Sequence, residues 1–251
     1  MSRTRLLILF MLLFGIFMLG SIYKYHIYPK EIVLTIDEVM DLSNIKTFDN
    51  YIFINNTKVN LTNYHDLIKR YQDYYHNTDI IAHLKIPGTD IDTPVVLGHD
   101  NSYYLRHNLE RKYSRYGTPF VDYRNDINDR QINIYGHNSS LIKMVFYDLT
   151  KYLNEDFYKE NSLIELIISD EKRIYEIFSV YLEKQNLSHY EHMNLDFDDE
   201  SWLNHLDTLQ NKSIYKNYTK FNVENQIMVL QTCLKTQNVK KIMLICAKRV
   251  E

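Results

Sequence analysis

Only two of the 251 residues are cysteine, Cys233 and Cys246. A secreted domain stapled by disulfides carries more, so that class is set aside. Neither a Cys-x-x-Cys nor a His-Glu-x-x-His spacing occurs, and the ten histidines are scattered. That pattern argues against a zinc centre and leaves no metal and no other cofactor to expect. Lys and Arg form no run, and 29 basic residues stand against 32 acidic ones, so a nucleic-acid partner is not expected. Internal repeats and low-complexity tracts are also missing. What remains is a chain long enough for one sizeable domain with segments left over.

One long apolar run is present. Arg3 and Arg5 precede a stretch from Leu6 to Tyr23 that is interrupted only by Gly15, Gly20 and Ser21. Its length is close to the roughly 20 residues needed to cross a bilayer. The leading basic residues favour a cytoplasmic N-terminus. A cleaved signal peptide is the competing reading, but the run is long for such a core and no Ala-x-Ala-like site follows it. The expected division is a cytoplasmic tail 1–5, a membrane anchor 6–23, a stalk and N-terminal helical region 24–78, and a main domain 79–251. The expected location is the cell membrane, single-pass, with the main domain extracellular.

In residues 60–78, Leu61, Tyr64, Leu67, Ile68, Tyr71, Tyr74 and Tyr75 recur at steps of three and four. This predicts a helix packed by one apolar face. From residue 80 the pattern becomes one of strands, at 80–86, 91–97, 118–121, 132–135, 163–168, 173–181, 226–232 and 241–250. Pro94 hints at an edge or bulge in the second. The fifth and sixth read as a hairpin about residues 169–172. Residues 141–153 read as a helix capped by Ser139 or Ser140. A polar insertion, 185–222, precedes the seventh strand. Within it Asp198 to Ser201 opens a short amphipathic helix carrying Trp202, Leu203, Leu206 and Leu209. His189, Glu191 and His192 in the same insertion read as solvated loop residues. Eight strands, few helices and short connections suit an antiparallel or mixed barrel.

Two strands run into residues able to do chemistry. Asn133-Ile134-Tyr135-Gly136 leads to His137, and Val229-Leu230-Gln231-Thr232 leads to Cys233. An imidazole can carry protons in general acid–base steps, and a thiolate can attack a carbonyl carbon. A cysteine and a histidine far apart in the chain, each at a strand end, form a plausible nucleophile and acid/base pair. Cys246, inside an apolar stretch, reads as a buried core thiol. Asp122 and Arg124 read as a structural pair.

Taken together, these segments resemble the sortases, and class B within them. Ile86 to Val96 is similar to the family's opening hairpin, and Asp100 to Leu105 to the segment after its second strand. Gly117 to Asn125 resembles a stretch typical of class B. Ile134 to Asn138 resembles the histidine motif and Thr232-Cys233 the nucleophile motif. The resemblance runs from about residue 80 to the C-terminus, and the order and spacing of the motifs make it specific. It implies a mainly β fold: a closed eight-stranded barrel with N-terminal helices and a helix in the long loop between strands six and seven. It implies a cysteine transpeptidase, with Cys233 and His137 at neighbouring strand ends in a groove. The implied substrate is a C-terminal sorting signal of secreted proteins, with Pro at its second position and Thr before the cut. Cleavage would proceed through a thioester on Cys233. The implied acceptor is an amine of the peptidoglycan cross-bridge or a pilin lysine. Thr232 and Leu97 are candidates for the substrate-binding groove wall, or equally ordinary barrel residues.

The resemblance also implies a catalytic arginine on the last strand, and here the chain departs from the pattern. Alignment without gaps puts Ile242 at that place. Lys241 is the expected stand-in, with Lys240 or Arg249 as alternatives. A lysine lacks the planar fork of a guanidinium. Two other readings stay open. A cysteine protease of another fold would start a helix at its nucleophile, whereas Cys233 follows a strand. A non-catalytic or weakly active sortase-like surface module is favoured by the missing arginine.

Overall fold

Alternating side chains from residue 80 onward build a barrel. The computed structural model describes residues 51–54, 57–60, 67–139, 142–169, 171–185, 190–216, 218–236 and 239–251, and only the backbone at 51–54, 57–60, 235–236 and 239. All of these lie in the unit Thr47–Glu251. Strands β1 (Tyr51–Ile54) and β2 (Thr57–Asn60) pair with each other. The barrel strands are β3 (Ile80–Lys85), β4 (Asp92–Leu97), β5 (Phe120–Val121), β6 (Gln131–Gly136), β7 (Leu163–Ile168), β8 (Glu171–Lys184), β9 (Ile227–Thr236) and β10 (Val239–Arg249). They close in the order β10-β8-β7-β3-β4-β5-β6-β9. The β4–β5 and β6–β9 pairs are parallel and the rest antiparallel.

The barrel is buried on both sides of its β9–β10 wall, which explains the unbroken apolar run near the C-terminus. Met228, Leu230, Met243, Ile245 and Ala247 fill the interior with Leu84, Val95, Ile134 and Ile177. The alternate residues Val229, Ile242, Leu244 and Cys246 face outward and are covered by Trp202, Leu206 and Leu209 of helix α3 (Asp199–Asn211). The acidic start of that helix is its cap: Asp198 Oδ1 accepts from Ser201 N at 2.8 Å.

Two helices differ from expectation. Helix α1 is Leu67–Tyr75, and 61–66 lie outside the described residues. Its buried face is Leu67, Ile68 and Tyr71, while Tyr74 is 60% exposed and points away. The helix expected at 141–153 is instead a series of turns ending in a 3-10 helix, Tyr147–Leu153. Tertiary bonds decide this local geometry. Phe146 N donates to the His137 carbonyl (3.1 Å), and Asp148 Oδ2 accepts from Asp90 N (2.9 Å). A helix not expected from the sequence, α2 (Glu155–Glu160), follows and is capped by Asn154, while Ser140 and Leu141 lie outside the described residues.

The expectation of a single-pass membrane protein is corrected. Among the described residues no helix is long and apolar enough to cross a membrane. The longest, α3, has 13 residues and so spans only about 20 Å, against a hydrocarbon core of about 30 Å. The run 6–23 on which that expectation stood lies outside the described residues.

Leu206 is wholly buried between α3 and the barrel. Leu206→Ala should lower unfolding free energy by about 2–5 kcal/mol in urea titrations. A loss under about 0.5 kcal/mol would mean that α3 does not pack on the barrel.

Candidate active site

The register of one strand pair builds the site. In the parallel β6–β9 ladder Tyr135 pairs with Gln231 and Gly136 with Thr232. One step further along, the next residues are His137 and Cys233. Partners in such a ladder lie on the same face, so the same alternation, carried one residue past the paired stretch, assigns His137 and Cys233 to one face of two strands whose backbones lie about 4.8 Å apart. The pair is clipped from within. Thr232 is 2% exposed, and its Oγ1 donates to the Gly136 carbonyl at 2.8 Å. The residues just before Cys233 and His137 are thereby tied together. Gly136 has no room for a side chain, since a Cβ there would sit 2.4 Å from the Phe146 ring.

His137 is oriented by a loop. Its Nε2 lies 2.8 Å from the Leu105 carbonyl. A carbonyl only accepts, so Nε2 carries the proton, and in the neutral ring Nδ1 is the acceptor nitrogen. Leu105 ends a 3-10 turn, Tyr103–Leu105, held by Asp100, whose Oδ1 accepts from Ser102 N and Tyr103 N, both at 2.7 Å. Gly117 closes the same loop with φ +64, where a Cβ would meet the Tyr104 and Leu105 carbonyls at 2.7 and 2.9 Å and His137 Cδ2 at 3.1 Å. Only glycine satisfies both the backbone angle and that contact.

Cys233 is exposed, yet burial of its surroundings raises its thiol above the ordinary value. The resting group is therefore the thiol, and it needs a base to become a nucleophile. Cys246 is fully buried and outside this site.

The candidate cations are sorted by register. Ile242 stands directly opposite Cys233, Lys241 opposite Leu234, and Lys240 opposite Lys235. Alternation puts Lys240 on the face of Cys233, and Lys241 on the other face with Met243 and Ile245. Arg249 pairs with Tyr175 and lies seven residues beyond Ile242, roughly 23 Å along the strand. Its guanidinium is engaged by Glu171 and the Glu251 carbonyl. Lys241 and Arg249 are thus not brought to the side of the thiol. Leu97 is half-buried against the barrel interior, paired with Val121. Like Thr232, it sits among barrel residues.

Polar residues beneath the insertion were not recognisable from sequence. His192 is 0% exposed, not solvated, and His205 is 2% exposed. His192 Nε2 lies 2.6 Å from Gln231 Oε1, and the His192 carbonyl accepts from Gln131 Nε2 (2.6 Å) and Asn133 Nδ2 (2.9 Å). His205 contacts Glu191 Oε1 (3.0 Å) and Gln131 Oε1 (2.7 Å). His189 lies outside the described residues. The only sequence signal was Gln131 and Asn133 alternating with Ile132 and Ile134, which reads equally well as a water-facing strand. Beside this cluster the Asp122–Arg124 pair forms as expected, with Arg124 Nε and Nη2 donating at 2.9 and 2.8 Å and Tyr135 Oη at 2.7 Å. Burial raises the Asp122 carboxyl, but these donors outweigh it and bring its pKa down to about 2. Among the described residues no three His, Cys, Asp or Glu side chains converge as metal ligands would.

No protein-family model matches the chain. Known proteins do. It is 32% identical over 160 residues to sortase B of Listeria monocytogenes, covering 62% of this chain and 63% of that protein. The X-ray structure of Clostridium perfringens sortase B superposes with a TM-score of 0.67 at 32% identity, over 73% of this chain and 99% of that one. The chain belongs to the class B sortases. A Staphylococcus aureus sortase B–substrate complex is also similar, with a TM-score of 0.64 at 27% identity over 73% of this sortase and 87% of that chain. The match spans just under two thirds of the curated Listeria relative.

Burial holds His192 below the ordinary imidazole value, at about 4. The folded protein thus binds fewer protons than the unfolded chain between pH 4 and 6.5, and stability should fall as pH drops through that window. Urea midpoints at pH 7.5, 6 and 5 should decline, and His192→Gln should flatten the decline by about 1–3 kcal/mol in total. An unchanged slope in that variant would show that His192 takes up protons in the fold as readily as in the unfolded chain.

Proposed function

We propose that this sortase is a cysteine transpeptidase that uses Cys233 as nucleophile and His137 as the proton carrier. The observation that supports the reading is the β6–β9 register, whose last pair, Gly136 with Thr232, stands one residue before His137 and Cys233. His137 Nδ1 takes the Cys233 proton as sulfur attacks a peptide carbonyl. The tetrahedral oxyanion collapses, His137 returns the proton to the departing amine, and a thioester remains. A second amine then attacks the thioester and gives its proton to His137. A new amide forms and the thiol is restored.

The oxyanion needs donors held in advance of the reaction. Lys240 is the side chain best suited to supply the charge, because alternation gives it the face of Cys233. Lys241, the stand-in named from sequence alone, is the lesser candidate. A flexible ammonium makes a weaker partner than a bidentate guanidinium. The substrate class proposed is an extended peptide with Pro at its second position and Thr at the cut, from the sorting signal of secreted proteins. The substrate complex of the S. aureus relative supports a peptide ligand. The acceptor proposed is a peptidoglycan cross-bridge amine or a pilin lysine. One observation favours the alternative of a weakly active sortase-like module: an apolar side chain, Ile242, stands opposite the thiol.

Incubation with a peptide of that pattern should add one acyl group to the wild-type chain by intact-mass spectrometry, and a thiol nucleophile should release it. Cys233→Ala and His137→Ala should each abolish the adduct. Lys240→Ala should slow its formation about 10²-fold, and Lys241→Ala should slow it less. Normal peptide turnover by Cys233→Ala would defeat the mechanism.

A further inference from the structure

The 3-10 turn Glu191–Met193 is tied to the outer face of the barrel at several points along β6 and β9, the nearest of them two residues before Cys233. A carboxamide oxygen only accepts, so His192 Nε2 donates to Gln231 at 2.6 Å. The His192 carbonyl collects the side chains of Gln131 and Asn133, and the Met193 carbonyl accepts from Arg124 Nη1 at 3.3 Å. Gln231 lies two residues before Cys233, and its ladder partner Tyr135 lies two before His137. All four therefore share one face. Tyr135 in turn donates to Asp122, which grips Arg124. The turn thus joins β6, β9 and the Asp122–Arg124 pair by polar contacts on the face that carries Cys233.

We propose that His192 is a positioning residue for the transpeptidase. Through Gln231 it fixes the stretch of β9 leading into Cys233, and it holds residues 190–194 in place as the side against which an extended peptide lies. The inference rests on the reading of Cys233 and His137 given above.

Nε2 can donate to Gln231 whether the ring is neutral or charged, and the surroundings decide which form is present. The groups facing His192 are Gln231 of β9, Gln131 and Asn133 of β6, Glu183 of β8, His205 of α3, Lys212 just after α3, and its own neighbour Glu191. Glu183 and Lys212 are paired at 2.5 Å and largely cancel. Burial then dominates and keeps the ring neutral at pH 7. Loss of the clamp should act on peptide binding more than on the thiol's own reactivity.

The test uses the full chain and a fluorogenic peptide with Pro at its second position and Thr at the cleaved bond. His192→Phe should raise KM about tenfold or more while kcat changes by less than about threefold. Alkylation of Cys233 by iodoacetamide should stay within about twofold of wild type, and amide exchange at 190–194 should accelerate about tenfold. His192→Gln, which keeps a donor, should recover most of both losses. Unchanged KM and unchanged exchange protection in His192→Phe would overturn the proposal. So would equal losses in kcat and alkylation, which would mean general disruption. Should His192→Phe fail to fold, Gln231→Leu removes the same bond from the other side and is read in the same way. If the wild-type chain cleaves no peptide but forms the clamp by exchange, the transpeptidase reading fails while the clamp stands. If exchange shows no clamp, this proposal fails whatever the activity.

Discussion

A single parallel ladder, β6 against β9, is the constraint on which the rest of the structure depends. Parallel neighbours cannot be joined by a tight turn and need a long crossover. Here the crossover is residues 137–226, and it carries β7, β8 and α3. The site therefore exists only when the barrel has closed. The register must also be right to the residue, because a slip of one would turn the thiol to the interior. The bond from Thr232 to the Gly136 carbonyl and the Phe146 ring packed on Gly136 both act at this point. They fix β6 and β9 one residue before His137 and Cys233.

Around that ladder the barrel wall does two jobs. Its inner residues make an ordinary apolar core. Its outer residues change character along the strand: apolar beneath α3, then amide-rich beneath residues 190–194, on the way to Cys233 and His137. Buried amides are tolerated only when their partners are provided. The insertion supplies them through His192 and His205. A segment rich in polar residues thereby becomes part of the protein interior, and its order is coupled to the site.

Much of this was legible in the chain itself. The strands read from alternation match eight barrel strands, with β8 longer than expected because Glu171 and Lys172 join it rather than the turn. The α3 start was legible from Asp198 and the apolar spacing after it. Cys233 and His137 stood out because each follows an apolar run, but β9 does not stop at Cys233 as expected and continues to Thr236, since its pairing with β10 extends that far. His192 did not, since polarity in a long insertion reads as exposure, and only tertiary contact reveals that β6 offers Gln131 and Asn133 to meet it. The region 141–153 was read as a helix from composition, yet its backbone follows bonds to His137 and Asp90.

The question of the positive charge marks the boundary most sharply. Sequence by itself determined that no arginine occupies the expected place and that lysines stand nearby, because these are matters of identity and order. It also determined the barrel, because a period of two over eight runs specifies strands with one face inward. Which lysine shares a face with the thiol was decided only by the β9–β10 register, since adjacent residues of a strand point in opposite directions. The pairing of Gly136 with Thr232, one residue before His137 and Cys233, was likewise decided by closure of the sheet, because two residues so distant along the chain become neighbours only through the ladder that joins their strands.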